Sequence, residues 1–237
     1  MIGSHEILAF FVVTVIATKY VVQQLVRRAA PRLMHNTSIA VGAWLVVTAL
    51  IAWKGWLQFG PMPPRILILV LFSSVFTVWV TGFTDFGRAL ATVPPLHWLI
   101  GMHAFRIAVE IFLHWGWREG FVPKQLTWES CNWDVLTGVT AIPMAWLASL
   151  GKVAKRGVLI WNCFGLALLV NVVTVAILSM PTPFRLFTNE PVNRFVTTAP
   201  YIWLPTFLVQ AALFGHVLLF RRLLGKEPAP VSLNLSV

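Results

Sequence analysis

Charged side chains are scarce in this sequence. They make up 11% of its residues, whereas 58% are hydrophobic. Soluble domains usually carry roughly 25% charged residues, because a water-facing surface needs them. So low a fraction excludes an ordinary water-soluble domain. The chain is instead rich in apolar runs with twelve Trp and seventeen Phe, aromatic residues of the kind that collect at membrane interfaces. The composition therefore predicts a polytopic membrane protein.

Residues and motifs for several kinds of chemistry are also missing. The sequence has only two cysteines and six histidines, too few for a disulfide framework or a membrane di-iron site. It has no G-x-S-x-G, H-E-x-x-H, Walker-type or Gly-rich dinucleotide motif. The last apolar run has no lysine for a retinal Schiff base. We therefore expect no cofactor and no metal.

Basic residues lie in short clusters between the apolar runs. The net charge is +10, yet no extended basic face is visible, so no nucleic-acid partner is expected. Membrane lipid is the expected environment instead. A small solute or a proton is a possible ligand, and the sequence does not identify a protein partner.

Seven runs are long enough to cross a bilayer, which requires about 20 mostly apolar residues. They predict an all-α integral membrane bundle of about seven transmembrane helices in a single domain, residues 1–224, followed by a short disordered cytoplasmic tail, residues 225–237. The predicted spans are 7–26, 38–58, 66–83, 95–117, 132–150, 157–180 and 199–220.

The distribution of lysine and arginine predicts the orientation, since cytoplasmic loops are enriched in both. Ten of these residues fall on one side of the predicted bundle and six on the other. The richer side holds Arg27, Arg28, Arg32, Arg88, Lys152, Lys155, Arg156, Arg221, Arg222 and Lys226. This places the N-terminus outside and the C-terminus inside a cell membrane, for which a bacterial inner membrane is the expected setting.

The fourth run carries four ionisable residues: His103, Arg106, Glu110 and His114. At 100° per residue they form one polar stripe. The nine Leu, Ile, Phe and Val residues from Leu96 to Leu113 favour insertion by about 3 to 5 kcal/mol, while Arg106 and an ionised Glu110 oppose it by roughly 5 to 7. The stripe is therefore expected to face the interior of the bundle, where intramembrane ionisable residues are candidate functional groups.

Two further polar residues match the stripe in depth, at about 1.5 Å of rise per residue. Asn171 on the sixth run is level with Glu110, and Gln210 on the seventh is level with Arg106. Arg106 and Glu110 are spaced i, i+4 and are expected to pair. The predicted polar intramembrane site is therefore His103, Arg106, Glu110, His114, Asn171 and Gln210. A purely structural ion pair is the alternative, and a metal ion shared by Glu110 and His114 is a minor one.

The two long loops on the predicted outer side are a second region of interest. In residues 118–135, Ser130 or Asn132 is expected to cap the fifth helix, with Asp134 in its first turn. Residues 181–200 are expected either to lie on the membrane surface or to fold over the bundle as a lid. Pro205 is expected to kink the last helix.

Three strings in the second half of the chain carry a resemblance: DVLTGVTA, WNCFGLALLVNVVTVAILSMPTPFR and WLPTFLV. They resemble small bacterial polytopic membrane proteins that have no characterised activity. The resemblance covers the chain from about Arg106 onward. It implies a membrane protein and contributes no activity or site residue.

Three functions fit these observations. The leading hypothesis is binding or movement of a small solute or a proton, with Glu110 titrating, Arg106 as counter-ion and His103 and His114 as relays. The second is an intramembrane enzyme acting on a lipid or isoprenoid-like substrate, with Glu110 or His114 as general acid or base. The third is an accessory or assembly subunit whose ion pair is structural. The sequence leaves open whether the protein is an enzyme.

Overall fold

The computed structural model describes residues 3–60 and 62–225, and within them every regular element is helical. The predicted all-α fold is confirmed there. From residue 226 on, the predicted tail lies outside the described residues. The helices are α1 Ser4–Ala29, α2 Met34–Trp53, α3 Arg65–Phe83, α4 Asp85–Thr92, α5 Leu96–Gly101, α6 Phe105–Arg118, α7 Val135–Ser149, α8 Lys155–Leu178 and α9 Val209–Leu224.

Six helical segments are long and apolar enough to cross a membrane. Three of them are composite, and the first of these joins a 3₁₀ turn at Pro31–Leu33 to α2. The other two lie later in the chain. One joins α5 and α6 through a 3₁₀ turn at Met102–Ala104, and the other joins a π-helical turn at Leu204–Leu208 to α9. The predicted span 132–150 is shorter: α7 has 15 residues, or about 22 Å of helix, against about 30 Å for a hydrocarbon core.

The helical segments pack side by side, with α9 against α3, α4 and α8, and α7 against α5, α6 and α8. Helices α2 and α3 expose large apolar side chains along most of their length, including Val46, Phe72 and Phe76. An outward apolar surface of this kind matches lipid rather than water. The chain is thus built as a membrane-embedded helical protein.

Two buried apolar clusters occupy opposite ends of the bundle. One includes Ile7, Phe112 and Leu208, and the other includes Leu25, Leu99 and Leu218. The first lies at the end that carries the loops 119–134 and 181–203, which we call the loop end. The second lies at the end that carries most of the Lys and Arg, which we call the basic end. The buried polar residues discussed below lie between the two clusters.

The second long loop folds over the loop end of the bundle. Asn193, Phe195 and Val196 in this loop are buried, so of the two predicted placements the structure has the one over the bundle. Asn193 Nδ2 donates to the Ala176 carbonyl at 2.9 Å, and Asn189 Nδ2 donates to Gln125 Oε1 at 2.7 Å. These bonds attach the loop to α8 and to the preceding loop.

Candidate functional site

Asp134, the residue that directly precedes the short α7, is buried. Leu126 and Asn132 in the stretch that leads to Asp134 are buried, whereas Trp133 is 54% exposed, so this stretch lies partly inside the protein. Non-helical backbone at membrane depth is tolerated where protein surrounds it. Close packing of α7 on α6 places Gly138 beside Arg106 and Ile107: a Cβ on Gly138 would lie 2.9 Å from the Ile107 backbone nitrogen and 3.3 Å from Arg106 Cβ. Asp134, one helical turn before Gly138, therefore lies beside Arg106.

Arg106 forms its ion pair with Asp134. Its Nη2 lies 2.8 Å from Asp134 Oδ1, with side chains 2% and 8% exposed. The predicted Arg106–Glu110 ion pair is wrong: Glu110 makes no ion pair within residues 3–60 and 62–225. A spacing of i, i+4 brings two side chains near each other, but Asp134 lies directly at the guanidinium and is the better-placed partner.

The other side of the Arg106 guanidinium faces His216. Arg106 Nη1 donates to His216 Nε2 at 3.1 Å, and because a guanidinium can only donate, that ring nitrogen must accept. His216 Nδ1 then carries the proton and donates to Asn162 Oδ1 at 2.8 Å. Asn162 Nδ2 donates back to the His216 carbonyl at 3.2 Å. This arrangement fixes His216 as the neutral Nδ1–H tautomer.

His103 lies next to His216 and is fully buried. The two ring centroids are 4.3 Å apart, and neither ring nitrogen of His103 has a hydrogen-bond partner among the described residues. Gly215 makes room for the ring, since a Cβ there would lie 2.6 Å from His103 Nε2. His103 is therefore part of the same buried cluster, on its side toward the basic end.

Glu110 lies one helical turn from Arg106, toward the loop end, and is 1% exposed. Its Oε1 accepts from Asn132 Nδ2 at 2.6 Å, and the same Asn132 amide donates to the Leu126 carbonyl at 2.9 Å. The second carboxylate oxygen, Oε2, has no hydrogen-bond partner within the described part of the chain. Glu110 is thus held through one oxygen and keeps the other free.

A cleft lies beside these charged residues. It is partly open and has a cavity volume of about 90 Å³, well above the roughly 10–15 Å³ that one water molecule requires. Its walls are apolar side chains of α3, α6, α8 and the Leu204–Leu224 segment, together with Arg106, Glu110 and Asp134 as the only charged residues among those that line it. The apolar residues include Leu67, Val70, Val109, Val173, Ala176, Leu208 and Ala212.

The structure places the other predicted site residues away from this cluster. His114 stacks on Trp128 with ring centroids 4.5 Å apart. Asn171 Nδ2 donates to the Cys131 carbonyl at 2.8 Å. Gln210 Nε2 donates to Ser74 Oγ at 3.2 Å and to the carbonyl of Pro205 at 3.0 Å. Pro205, the predicted kink site, lies within the π-helical turn Leu204–Leu208. Depth along a helix did not predict these partners, because it ignores which face each side chain occupies.

The buried polar cluster thus consists of His103, Arg106, Glu110, Asn132, Asp134, Asn162 and His216. Four of these residues, Asn132, Asp134, Asn162 and His216, were not predicted from the sequence as site residues. Asp134 and Asn132 are expected there only as helix-capping residues, His216 lies near a helix end and Asn162 lies in an apolar run. Asp134 had a usable signal: the uncharged apolar stretch after it, residues 135–150, is shorter than the roughly 20 residues that a span requires, so a polar residue at its start would lie below the bilayer surface. No group of three or more His, Cys, Asp or Glu side chains within residues 3–60 and 62–225 is placed to hold a metal ion.

The fold and the site define a class: a membrane-embedded helical protein with an apolar cleft that ends on a buried charged cluster. The chain belongs to DUF8737, a family described as a domain of unknown function, whose model matches residues 63–224. That range contains every residue of the cluster and the cleft. No curated protein and no solved structure matches the chain. The resemblance noted in the sequence is confirmed in part, because the family is a domain without an assigned activity. A bacterial source is not shown.

Proposed function

We propose that this protein binds a molecule with a long apolar chain, taken from the bilayer, in the cleft beside Arg106, Glu110 and Asp134. The composition of the cleft carries the proposal: its walls are apolar except for those three side chains. Ligand sites typically combine such walls with a few placed polar groups. A hydrated ion would find few polar partners along this surface, whereas an acyl or isoprenoid chain would bury its apolar area there.

The position of the cleft supports a ligand from the membrane. Helices α3 and α8 both line it, and both expose apolar side chains on their outer surfaces, such as Leu71 and Val170, at 66% and 57% exposure. The loop end of the cleft is lined by Met180 and Val196, which are buried. A molecule in the bilayer therefore has a short apolar route, while one in water has the buried loop in its way.

The test compares two valine substitutions on one helix. Val173→Trp fills the cleft, and Val170→Trp places the same side chain on the exposed surface of α8. The protein is purified in mild detergent, and co-purified lipids are identified by native mass spectrometry and lipid extraction. We expect a bound species in the wild type and in Val170→Trp, and its loss in Val173→Trp. Equal retention by all three proteins would contradict binding in the cleft.

The other functions stay predictions. An enzyme acting on a lipid or isoprenoid-like substrate would bind it in the same cleft and would then use Glu110 as a general acid or base. Movement of a solute or proton and a role as an accessory subunit remain alternatives, as does location in a bacterial inner membrane. Ligand binding takes precedence because the cleft and the charged cluster meet at the same three residues.

A further inference from the structure

At the charged end of the cleft, which is lined by Arg106, Glu110 and Asp134, only two of the three side chains pair with each other. Asp134 lies 2.8 Å from the Arg106 guanidinium, so these two opposite charges offset each other. Glu110 makes no ion pair across residues 3–60 and 62–225. A buried carboxyl group without a cationic partner at the end of an apolar cleft favours a ligand that brings a positive charge or a hydrogen-bond donor.

Apart from the two atoms of the Arg106–Asp134 ion pair, two buried polar atoms of the residues that line the cleft have no hydrogen-bond partner among the described residues: Glu110 Oε2 and Arg106 Nε. The first can accept and the second can only donate. The two residues lie one turn apart on the same face of α6, and both line the cleft. A hydroxyl group can donate to Glu110 and accept from Arg106, whereas a protonated amine can only donate and therefore satisfies Glu110 alone.

An anionic head group fits this end poorly. It would approach the Arg106 guanidinium but would also face the carboxylates of Glu110 and Asp134, both of which line the cleft. Arg106 Nη2 already lies 2.8 Å from Asp134 Oδ1, and Nη1 already donates to His216 and to the Gly165 carbonyl, so much of the guanidinium is engaged within the protein. Like charges brought together in a desolvated site disfavour binding strongly.

We infer that the ligand is a long-chain alcohol or amine, whose polar group donates a hydrogen bond to Glu110, and not a long-chain acid. The inference rests on the proposed function, because it assumes that the apolar chain occupies the cleft. It adds the chemical class of the head group. The two claims are separable, since chain binding depends on the apolar walls and head-group choice depends on Glu110.

Three photoreactive probes test the head group. They share one sixteen-carbon, diazirine-bearing chain and end in a hydroxyl, a primary amine or a sulfonate, an anion that only accepts hydrogen bonds. Wild-type protein in lipid nanodiscs is irradiated with each probe at equal concentration, and labelled peptides of α8 and α9 are counted by mass spectrometry. We expect hydroxyl and amine probes to label the cleft about tenfold more than the sulfonate, since like-charge contacts oppose the latter.

Variants then connect the preference to Glu110. Glu110→Gln retains an acceptor oxygen but no charge, so amine labelling should fall about tenfold while hydroxyl labelling changes less than about threefold. Val173→Trp should remove cleft labelling by every probe, and Val170→Trp should not. Sulfonate labelling equal to or above that of the other probes would overturn the head-group inference alone. Labelling by all probes that is indifferent to Val173→Trp would overturn the proposed function.

Discussion

At the residue scale, the pairing of Arg106 decides which side chains remain free. A buried guanidinium needs compensation, because an isolated charge away from water costs several kcal/mol or more. Asp134 supplies the charge, and His216 supplies an acceptor that Asn162 holds in the required tautomer. Because Asp134 compensates Arg106, Glu110 lines the cleft with a carboxyl group that has no cationic partner within residues 3–60 and 62–225.

Neutralising Asp134 should therefore destabilise the protein. Asp134→Asn leaves Arg106 as a buried cation without a counter-ion, and breaking a buried pair in this way costs about 3–5 kcal/mol. The matched control is Asp85→Asn, whose ion pair with Arg88 joins side chains that are 91% and 69% exposed. Thermal or denaturant unfolding in detergent should show a large loss for the first variant and almost none for the second. Similar unfolding of the two variants would mean that Asp134 does not compensate Arg106.

At the element scale, the length of α7 and its close approach to α6 position the ion pair. A 15-residue helix is too short to cross the hydrocarbon core. Part of the loop before it, including Asn132 and Asp134, is buried inside the bundle. Gly138 allows the approach, since the backbone of α6 occupies the space where a Cβ would be. Gly165 similarly gives room to His216, whose Cε1 would lie 2.9 Å from an added Cβ.

Alanine at Gly138 should push α7 away from α6. The new Cβ would lie 2.9 Å from the Ile107 backbone nitrogen, and overpacking of this kind typically costs about 1–3 kcal/mol. Gly42→Ala on α2 is the control, because a Cβ there meets nothing within 4 Å and alanine favours helix by up to about 1 kcal/mol. Unfolding measurements should thus give effects of opposite sign. A neutral Gly138→Ala would show that the close approach does not constrain the site.

At the scale of the whole molecule, the bundle has an apolar outer surface and a buried polar cluster in its interior. The cluster lies between two apolar cores, one at each end, and reaches the cleft through three side chains. Its orientation in the membrane remains a proposal based on the distribution of Lys and Arg. That distribution places the loop end outside and the basic end inside.

Cysteine labelling tests the orientation. In a background with Cys131→Ser and Cys163→Ser, single cysteines are placed at two exposed positions, Glu119 at the loop end and Lys155 at the basic end. A membrane-impermeant thiol reagent applied to intact cells should label Glu119→Cys directly. It should label Lys155→Cys only after the membrane is permeabilised. The reverse pattern would place the loop end in the cytoplasm.

The sequence by itself determined the class of fold. Scarce charge and long apolar runs require helices whose backbone groups pair within each segment, because a bilayer offers no water to satisfy them. The cost of inserting Arg106 and Glu110 also required their stripe to face the interior, and both are buried. These conclusions depend on composition and on helical spacing. Both can be determined from a single segment of the chain without knowing what it packs against.

Only the tertiary structure decided the partners. Asp134, Asn162 and His216 come from three different helical segments or their ends, and the contacts that bring them to Arg106 depend on helix rotation and on close approach at Gly138 and Gly165. Hydropathy and spacing fix depth along a helix but not which neighbour a face meets. For that reason the sequence predicted a pair between Arg106 and the nearest carboxyl group on its own helix, whereas in the structure Arg106 pairs with Asp134 at the start of the neighbouring helix α7.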